Sequence, residues 1–145
     1  MVEASLFTRM ITGEVPASVV AKGDDWLAIL DIFPRRPGHT LVFPVQQERH
    51  IAELSEASRA NLMDGVAEVQ RRLTEVFDTD DFSVVVHDGP TAGQEVPHVH
   101  IHVIPRSPGD GGRGLLSMWP DAPPPGGEPD FAGLSELASR LAGIE

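Results

Sequence analysis

Residues 97–104 of this 145-residue chain read PHVHIHVI. Polar and apolar side chains alternate strictly, which is typical of a β-strand with one buried face. Because successive side chains of a strand point to opposite faces, the histidines should share one face and the apolar residues the other. The two sets are His98, His100 and His102, and Val99, Ile101 and Val103. Burial of the apolar set leaves the three imidazoles in a cleft or in solvent.

The surrounding sequence predicts an α+β domain, with an antiparallel sheet of about five strands and one long helix. Apolar residues at helical spacing predict that helix over 56–77, with Ser55 as its N-cap. A short helix is expected before Gly13, and a C-terminal helix over 131–142 with Asp130 as N-cap. Strands are predicted over 18–21, 26–32, 39–45, 82–87 and 97–104.

Composition limits the classes of partner. The formal net charge is −11, so a nucleic-acid polymer is a poor partner, although a local pocket could still bind a small anion. The chain contains no cysteine, which excludes cysteine nucleophiles and disulfides. No apolar run approaches the ~20 residues of a membrane span, and the first residues do not resemble a signal peptide. We therefore expect a cytoplasmic protein that does not interact with membranes.

The end of the chain differs from the rest in composition. Twelve of the 24 residues in 107–130 are glycine or proline, which predicts a long loop. We therefore divide the chain into a main part over 1–106 and a tail with a helix over 107–145, both within one domain. The apolar residues Leu115, Leu116, Met118 and Trp119 are expected to affect substrate selection or to pack on the outer surface.

Three histidines on one strand face suit two chemistries. Neutral imidazole is a common ligand of zinc or copper, so the three could form a metal site. One imidazole could instead attack phosphorus while the others hold phosphate oxygens or carry protons. The small residues of 88–93 could cradle an anion through backbone N–H groups, and Gln94 would add an amide donor. These residues favour phosphate chemistry but leave both alternatives open.

The His98–Ile104 segment resembles the His-φ-His-φ-His-φ-φ signature of the histidine triad (HIT) nucleotide hydrolases and transferases, where φ is an apolar residue. Its flanking residues are similar to the branch that hydrolyses diadenosine polyphosphates. The resemblance covers residues 5–106. The similar segments outside the triad are ITGEVPAS at 11–18, LDI at 30–32, PGHTLV at 37–42, DGPTAGQ at 88–94 and PR at 105–106.

This resemblance implies roles for individual residues. His100 would attack the α-phosphorus of a nucleotide and form a covalent nucleotidyl-histidine, which water then hydrolyses. His98 and His102 would bind phosphate oxygens and assist proton transfer, and Gln94 would hold the α-phosphate. The remaining expected contacts are Asp31 with ribose hydroxyls, Ile29 and Ile32 with the base, and His39 beside the triad. No cofactor would be bound by the protein, although Mg²⁺ could arrive with the substrate.

The chain departs from the family pattern at three places. Ser5 and Thr8 stand where many relatives have zinc-binding cysteines, so we expect no structural zinc. His87 stands where relatives have an amide that contacts phosphate. Glu95 replaces a frequent Ser or Thr, and alternation with Gln94 predicts that it points away from the site.

Two other functions remain open from the sequence: a non-catalytic nucleotide-binding module, and a metal-binding protein that uses the three histidines. A substrate panel and a metal assay would discriminate them from a hydrolase. The predicted sheet leaves an uncovered edge, and with the family resemblance this favours a homodimer.

Overall fold

The computed structural model of the protein describes residues 2–145, and its centre is a five-stranded antiparallel sheet. The strands are β1 (Val19–Lys22), β2 (Trp26–Leu30), β3 (Thr40–Pro44), β4 (Phe82–Val86) and β5 (Ile101–Pro105). They lie in the order β1-β2-β3-β5-β4, and every neighbouring pair is antiparallel. The predicted α+β class and strand number are confirmed.

Three α-helices accompany the sheet: α1 (Leu6–Ile11), α2 (Glu56–Phe77) and α3 (Phe131–Ala142). The Ser55 side chain caps α2 by accepting a hydrogen bond from the Ser58 N–H, and Asp130 caps α3 in the same way from Gly133. The predicted bounds and N-caps of both helices are therefore confirmed. Single turns of 3-10 helix occur at Ile51–Glu53, Pro90–Ala92 and Leu115–Ser117.

Both faces of the central strands are covered. On one face, the buried side of α2 packs on Val99, Ile101 and Val103, as the sequence predicted. On the other face, Phe7 of α1 packs on a second apolar cluster formed with Leu27, Ile29, Leu41 and Phe43. The side chains of His100 and His102 belong to this second face, so α1 and the sheet together frame the candidate site.

The prediction that β5 begins at residue 97 was wrong, because the strand begins at Ile101. Pro97 has no N–H to donate to a sheet. The N–H of Val99 donates to the Glu48 carbonyl, outside the sheet, at 2.8 Å. Residues 97–100 therefore form an irregular segment that leads into the strand, and strict alternation of faces does not apply to His98.

The chain divides into two compact units, one ending at Asp110 and the other beginning at Gly111. All buried apolar residues lie in the first unit. In the second unit the apolar face of α3 is exposed, as are the four apolar residues of the preceding loop. Among residues 2–145, no helix is both long and apolar enough to cross a membrane.

Candidate active site

The first unit contains a cavity of about 690 Å³ between α1, the sheet and the loops that follow β2 and β4. Most of its wall is apolar, and its ionisable residues belong to two groups, histidines and a few charged side chains. The histidines are His39, His87, His100 and His102, and the charged residues are Asp31, Arg35 and Glu95. Six of the residues that the sequence singled out as site residues are thus brought to one cavity with His100: Asp31, His39, His87, His102, Ile29 and Ile32.

His100 presents one unprotonated nitrogen to this cavity. Its Nδ1 lies 2.7 Å from the carbonyl oxygen of His98. A carbonyl only accepts, so Nδ1 carries the proton and Nε2 keeps its lone pair. Burial lowers the pKa of His100, against the opposing effect of that hydrogen bond. His100 is therefore a neutral imidazole whose tautomer is fixed by the backbone.

The tautomer of His102 follows from a chain of hydrogen bonds through His39. The backbone N–H of Arg35 donates to Nδ1 of His39 at 3.1 Å, so the proton of neutral His39 is on Nε2. That Nε2 lies 2.9 Å from Nδ1 of His102, which must accept. The proton of His102 is consequently on Nε2. Burial, together with the neighbouring His100 and His39, lowers the pKa of His102 to about 4.

Asp31 supports this pair and shapes the adjoining turn. One carboxylate oxygen, Oδ2, lies 3.6 Å from Nε2 of His39. The other, Oδ1, accepts a hydrogen bond from the backbone N–H of Phe33 at 2.8 Å. This bond ends β2 at Leu30, two residues earlier than the sequence predicted. Burial lowers the pKa of His39, and the Asp31 charge opposes that effect.

His98 does not join the other two triad histidines in the cavity. It is fully buried, with Nε2 2.7 Å from the Pro44 carbonyl and Nδ1 2.6 Å from Oγ of Ser5. Because the carbonyl only accepts, Nε2 donates to it and the Ser5 hydroxyl donates to Nδ1. Both ring nitrogens are thus occupied, and the expectation that His98 faces a cleft with His100 and His102 was wrong.

The orientations expected for Gln94 and Glu95 are reversed. Gln94 is buried, and its Nε2 donates to the Arg49 carbonyl at 2.7 Å, outside the cavity wall. Glu95 lines the cavity instead. Alternation failed because residues 94–96 form a loop and not a strand. The phosphate contact expected of Gln94 is therefore not made available by this arrangement.

The apolar wall includes residues that the sequence analysis missed. Ile29 is buried in the floor, whereas Ile32 lies exposed at the rim. Phe33 also lines the cavity and is 80% exposed, a large fraction for an aromatic ring. Leu6 and Met10 of α1 complete this wall. An aromatic residue two positions after a candidate ribose-binding Asp was the available signal for Phe33.

One group of side chains in residues 2–145 could bring three ligand atoms to a metal ion: Asp31, His39 and His102. A metal on Nε2 of His39 would move the ring proton to Nδ1, where it would oppose the Arg35 N–H. The group therefore fits a proton-ordered hydrogen-bond chain better than a metal. The alternative site made of the three triad histidines does not form, because both nitrogens of His98 are occupied.

Comparison with known proteins agrees with this geometry. The family model described as the HIT domain matches residues 12–109. The chain belongs to the HIT family. A HIT-like protein of Methanocaldococcus jannaschii, named as uncharacterized, is 42% identical over 106 residues, covering 73% of this chain and 81% of that protein.

Two further HIT relatives connect sequence and structure. The adenosine 5′-monophosphoramidase hnt1 of Schizosaccharomyces pombe is 32% identical over 118 residues, covering 81% of this chain and 84% of its own. The crystal structure of SMU.412c from Streptococcus mutans UA159 superposes with a TM-score of 0.82 and 32% identity, covering 98% of this chain and 85% of that one. The HIT fold expected from the sequence is confirmed, and nucleotide hydrolases occur among its relatives.

Proposed function

We propose that the protein is a hydrolase or nucleotidyl transferase that acts at the α-phosphate of a nucleotide conjugate, through a covalent intermediate on His100. The observation that carries this proposal is the free Nε2 lone pair of His100 inside the cavity. Burial keeps that imidazole neutral at pH 7, so the nitrogen can attack without a separate base. The relatedness to an adenosine 5′-monophosphoramidase supports a phosphoramidate or phosphoric anhydride bond as the target.

The reaction proceeds in two displacements at phosphorus. Nε2 of His100 forms a bond to the α-phosphorus, and the bond to the leaving group breaks with its electron pair. The leaving atom takes up one proton from solvent. Water then adds its oxygen to phosphorus, the bond to Nε2 breaks, and one proton returns to solvent. The products are a nucleoside monophosphate and the free leaving group.

The neighbouring residues hold the substrate during these steps. The Nε2–H of His102 donates to a phosphate oxygen, and His39 acts as a positioning residue that keeps His102 in that tautomer. The Nδ1–H of His100 stays on the His98 carbonyl while the ring carries the nucleotide. His87 contacts the phosphate as well in this proposal, which its ring centre supports by lying 5.6 Å from that of His102.

The nucleoside end of the substrate lies on the wall formed after β2. Asp31 accepts hydrogen bonds from ribose hydroxyls through Oδ2, since Oδ1 is held by the Phe33 N–H. The exposed side chains of Ile32 and Phe33 give the base an apolar surface, with Ile29 below them. His98 holds α1 against the sheet through Ser5 and does not touch the substrate.

In this function the partner of the protein is a small-molecule nucleotide, and the protein itself binds no cofactor. Mg²⁺ bound to the substrate and a cytoplasmic location stay predictions from the sequence.

We also propose a homodimer, because β4 lies at one edge of the sheet with Val84 and Val85 exposed.

Replacement His100→Ala tests the mechanism. We expect loss of at least about 10³-fold in kcat, as is typical when a nucleophile is removed, with little change in melting temperature. Mass spectrometry of wild-type protein quenched in alkaline denaturant, in which the phosphorus–nitrogen bond persists, should show one added nucleotidyl group, absent from the variant. His50→Ala is the matched control, because His50 bonds to Glu53 and does not line the cavity.

Full turnover by His100→Ala would contradict the covalent mechanism. Binding of nucleotides without turnover by the wild type, across phosphoramidates and dinucleoside polyphosphates, would instead indicate a non-catalytic nucleotide-binding module.

A further inference from the structure

We propose that Glu95 selects leaving groups that carry a positive charge, so that cationic amines are released faster than neutral amines or polyphosphates. This inference rests on the proposed function and specifies its substrate class. It follows from the charges on the cavity wall and from the position of Glu95 within that wall.

The fixed charges around the cavity are few and mostly negative. Asp31 and Glu95 are carboxylates, whereas Arg35 is the single lysine or arginine among the lining residues. Burial favours the neutral form of three lining histidines, His39, His100 and His102. A polyphosphate leaving group would place several negative charges in a cavity whose wall contains one fixed positive charge, that of Arg35.

The two carboxylates differ in what they can still bind. In the proposed complex both oxygens of Asp31 are committed, Oδ1 to the Phe33 N–H and Oδ2 to the ribose. Glu95 has no hydrogen bond or ion pair with any other residue of the described chain, 2–145. Its carboxylate is therefore free to pair with a charge that the substrate supplies.

The neighbours of Glu95 hold it on the cavity wall. On one side, Gln94 is buried and bonded to the Arg49 carbonyl. On the other side, Val96 packs against the apolar cluster that includes Phe7 of α1. With both neighbours anchored in the protein, Glu95 is held at the wall of the cavity that it lines, and it is exposed there.

The position of Glu95 is also separate from the nucleoside wall. Asp31, Ile32 and Phe33 follow β2, whereas Glu95 lies in the loop between β4 and β5. We therefore assign the β2 side of the cavity to the nucleoside and the side of Glu95 to the leaving group.

Two nearly isosteric substrates test this inference: adenosine phosphoramidates of hexylamine and of cadaverine, which end in a methyl group and an ammonium group. We expect kcat/KM of the wild type to favour the cadaverine conjugate by about fivefold, the upper range for a solvent-exposed ion pair. Glu95→Gln should bring this ratio close to one, and Glu95→Lys should reverse it. Diadenosine tetraphosphate should be cleaved faster by Glu95→Lys than by the wild type.

Glu75→Gln is the matched control, since it removes the same charge from the exposed surface of α2 and should leave the ratio unchanged. Higher salt should lower the wild-type ratio, because an exposed pair is screened. A wild-type ratio of one, or a ratio that Glu95→Gln and Glu95→Lys do not alter, overturns the role of Glu95 while hydrolysis of the hexylamine conjugate still supports the proposed function. No cleavage of any of the three substrates overturns the proposed function itself.

Discussion

Four of the histidines around the site, His39, His98, His100 and His102, differ in the hydrogen bonds that fix their tautomers. A carbonyl or a backbone N–H fixes one nitrogen of each ring except His102, and His39 fixes His102 in turn. Hydrogen bonds thereby fix the tautomer at these four positions, and the Asp31 carboxylate lies 3.6 Å from Nε2 of His39. At the residue scale, the site is a set of neutral imidazoles with assigned protons.

This neutrality predicts how stability depends on pH. Burial holds the pKa of His102 at about 4 in the folded protein, below the ordinary 6.5 of an unfolded chain, and lowers the pKa of the other three histidines as well. As pH falls from 6.5 toward 4, the unfolded chain takes up protons that the folded protein does not, so the free energy of unfolding decreases. Urea unfolding of the wild type and of His102→Gln at a series of pH values should show a shallower decrease in the variant. Equal slopes for the two proteins would contradict the lowered pKa of His102.

The positions of several site residues were predictable from the sequence. His102 lies in β5, and His100 and Asp31 lie directly next to a strand, so all three reach the cavity as the strand pattern and the resemblance indicated. His98, Gln94 and Glu95 lie further from a strand, and the directions of His98 and Gln94 depend on distant partners, Ser5 and Arg49. The local sequence pattern around a residue does not identify partners that are distant in the chain.

At the scale of elements, α2 lies close to the sheet where the Trp26 ring of β2 contacts the helix at Gly65. A Cβ added at Gly65 of α2 would lie 2.7 Å from Cδ2 of the Trp26 ring, and one added at Gly23 would lie closer still. The helix thus approaches β2 at a position where only glycine leaves room for the indole.

Gly65→Ala should therefore destabilise the protein, although alanine favours helix formation. Overpacking costs about 1–3 kcal/mol, against a gain of about 1 kcal/mol in helix propensity, so we expect a net loss of about 1 kcal/mol. Urea unfolding measures this loss. In a Trp26→Leu background the clash is removed, and the same Gly65→Ala change should become neutral or stabilising. Destabilisation of equal size in both backgrounds would show that the indole is not the cause.

Helices and strands differed in how well their bounds could be predicted. The limits of α2 and α3 depend on local caps, Ser55 and Asp130, which the sequence shows directly. The start of β5 depends on which carbonyl the Val99 N–H meets, and that carbonyl belongs to Glu48, far away in the chain.

At the scale of the whole molecule, the sheet has two edges, β1 and β4, and the proposed homodimer uses the second. Light scattering should give twice the chain mass of 15.6 kDa. Val84→Lys on β4 should shift this value toward a single chain, because a charge on a paired edge opposes association. Val19→Lys on β1 is the matched control, since Val19 is also an exposed edge residue. A wild-type mass of 15.6 kDa would contradict the dimer.

The division into two units also gives the molecule two separate optical reporters. The chain has two tryptophans and no tyrosine. Trp26 packs against the core of the first unit, whereas Trp119 belongs to the second unit and is 62% exposed. An ionic quencher in solution reaches an exposed indole far more readily than a packed one. Emission that survives iodide therefore reports on the unit that contains the cavity, and the quenched fraction reports on the tail, without any label.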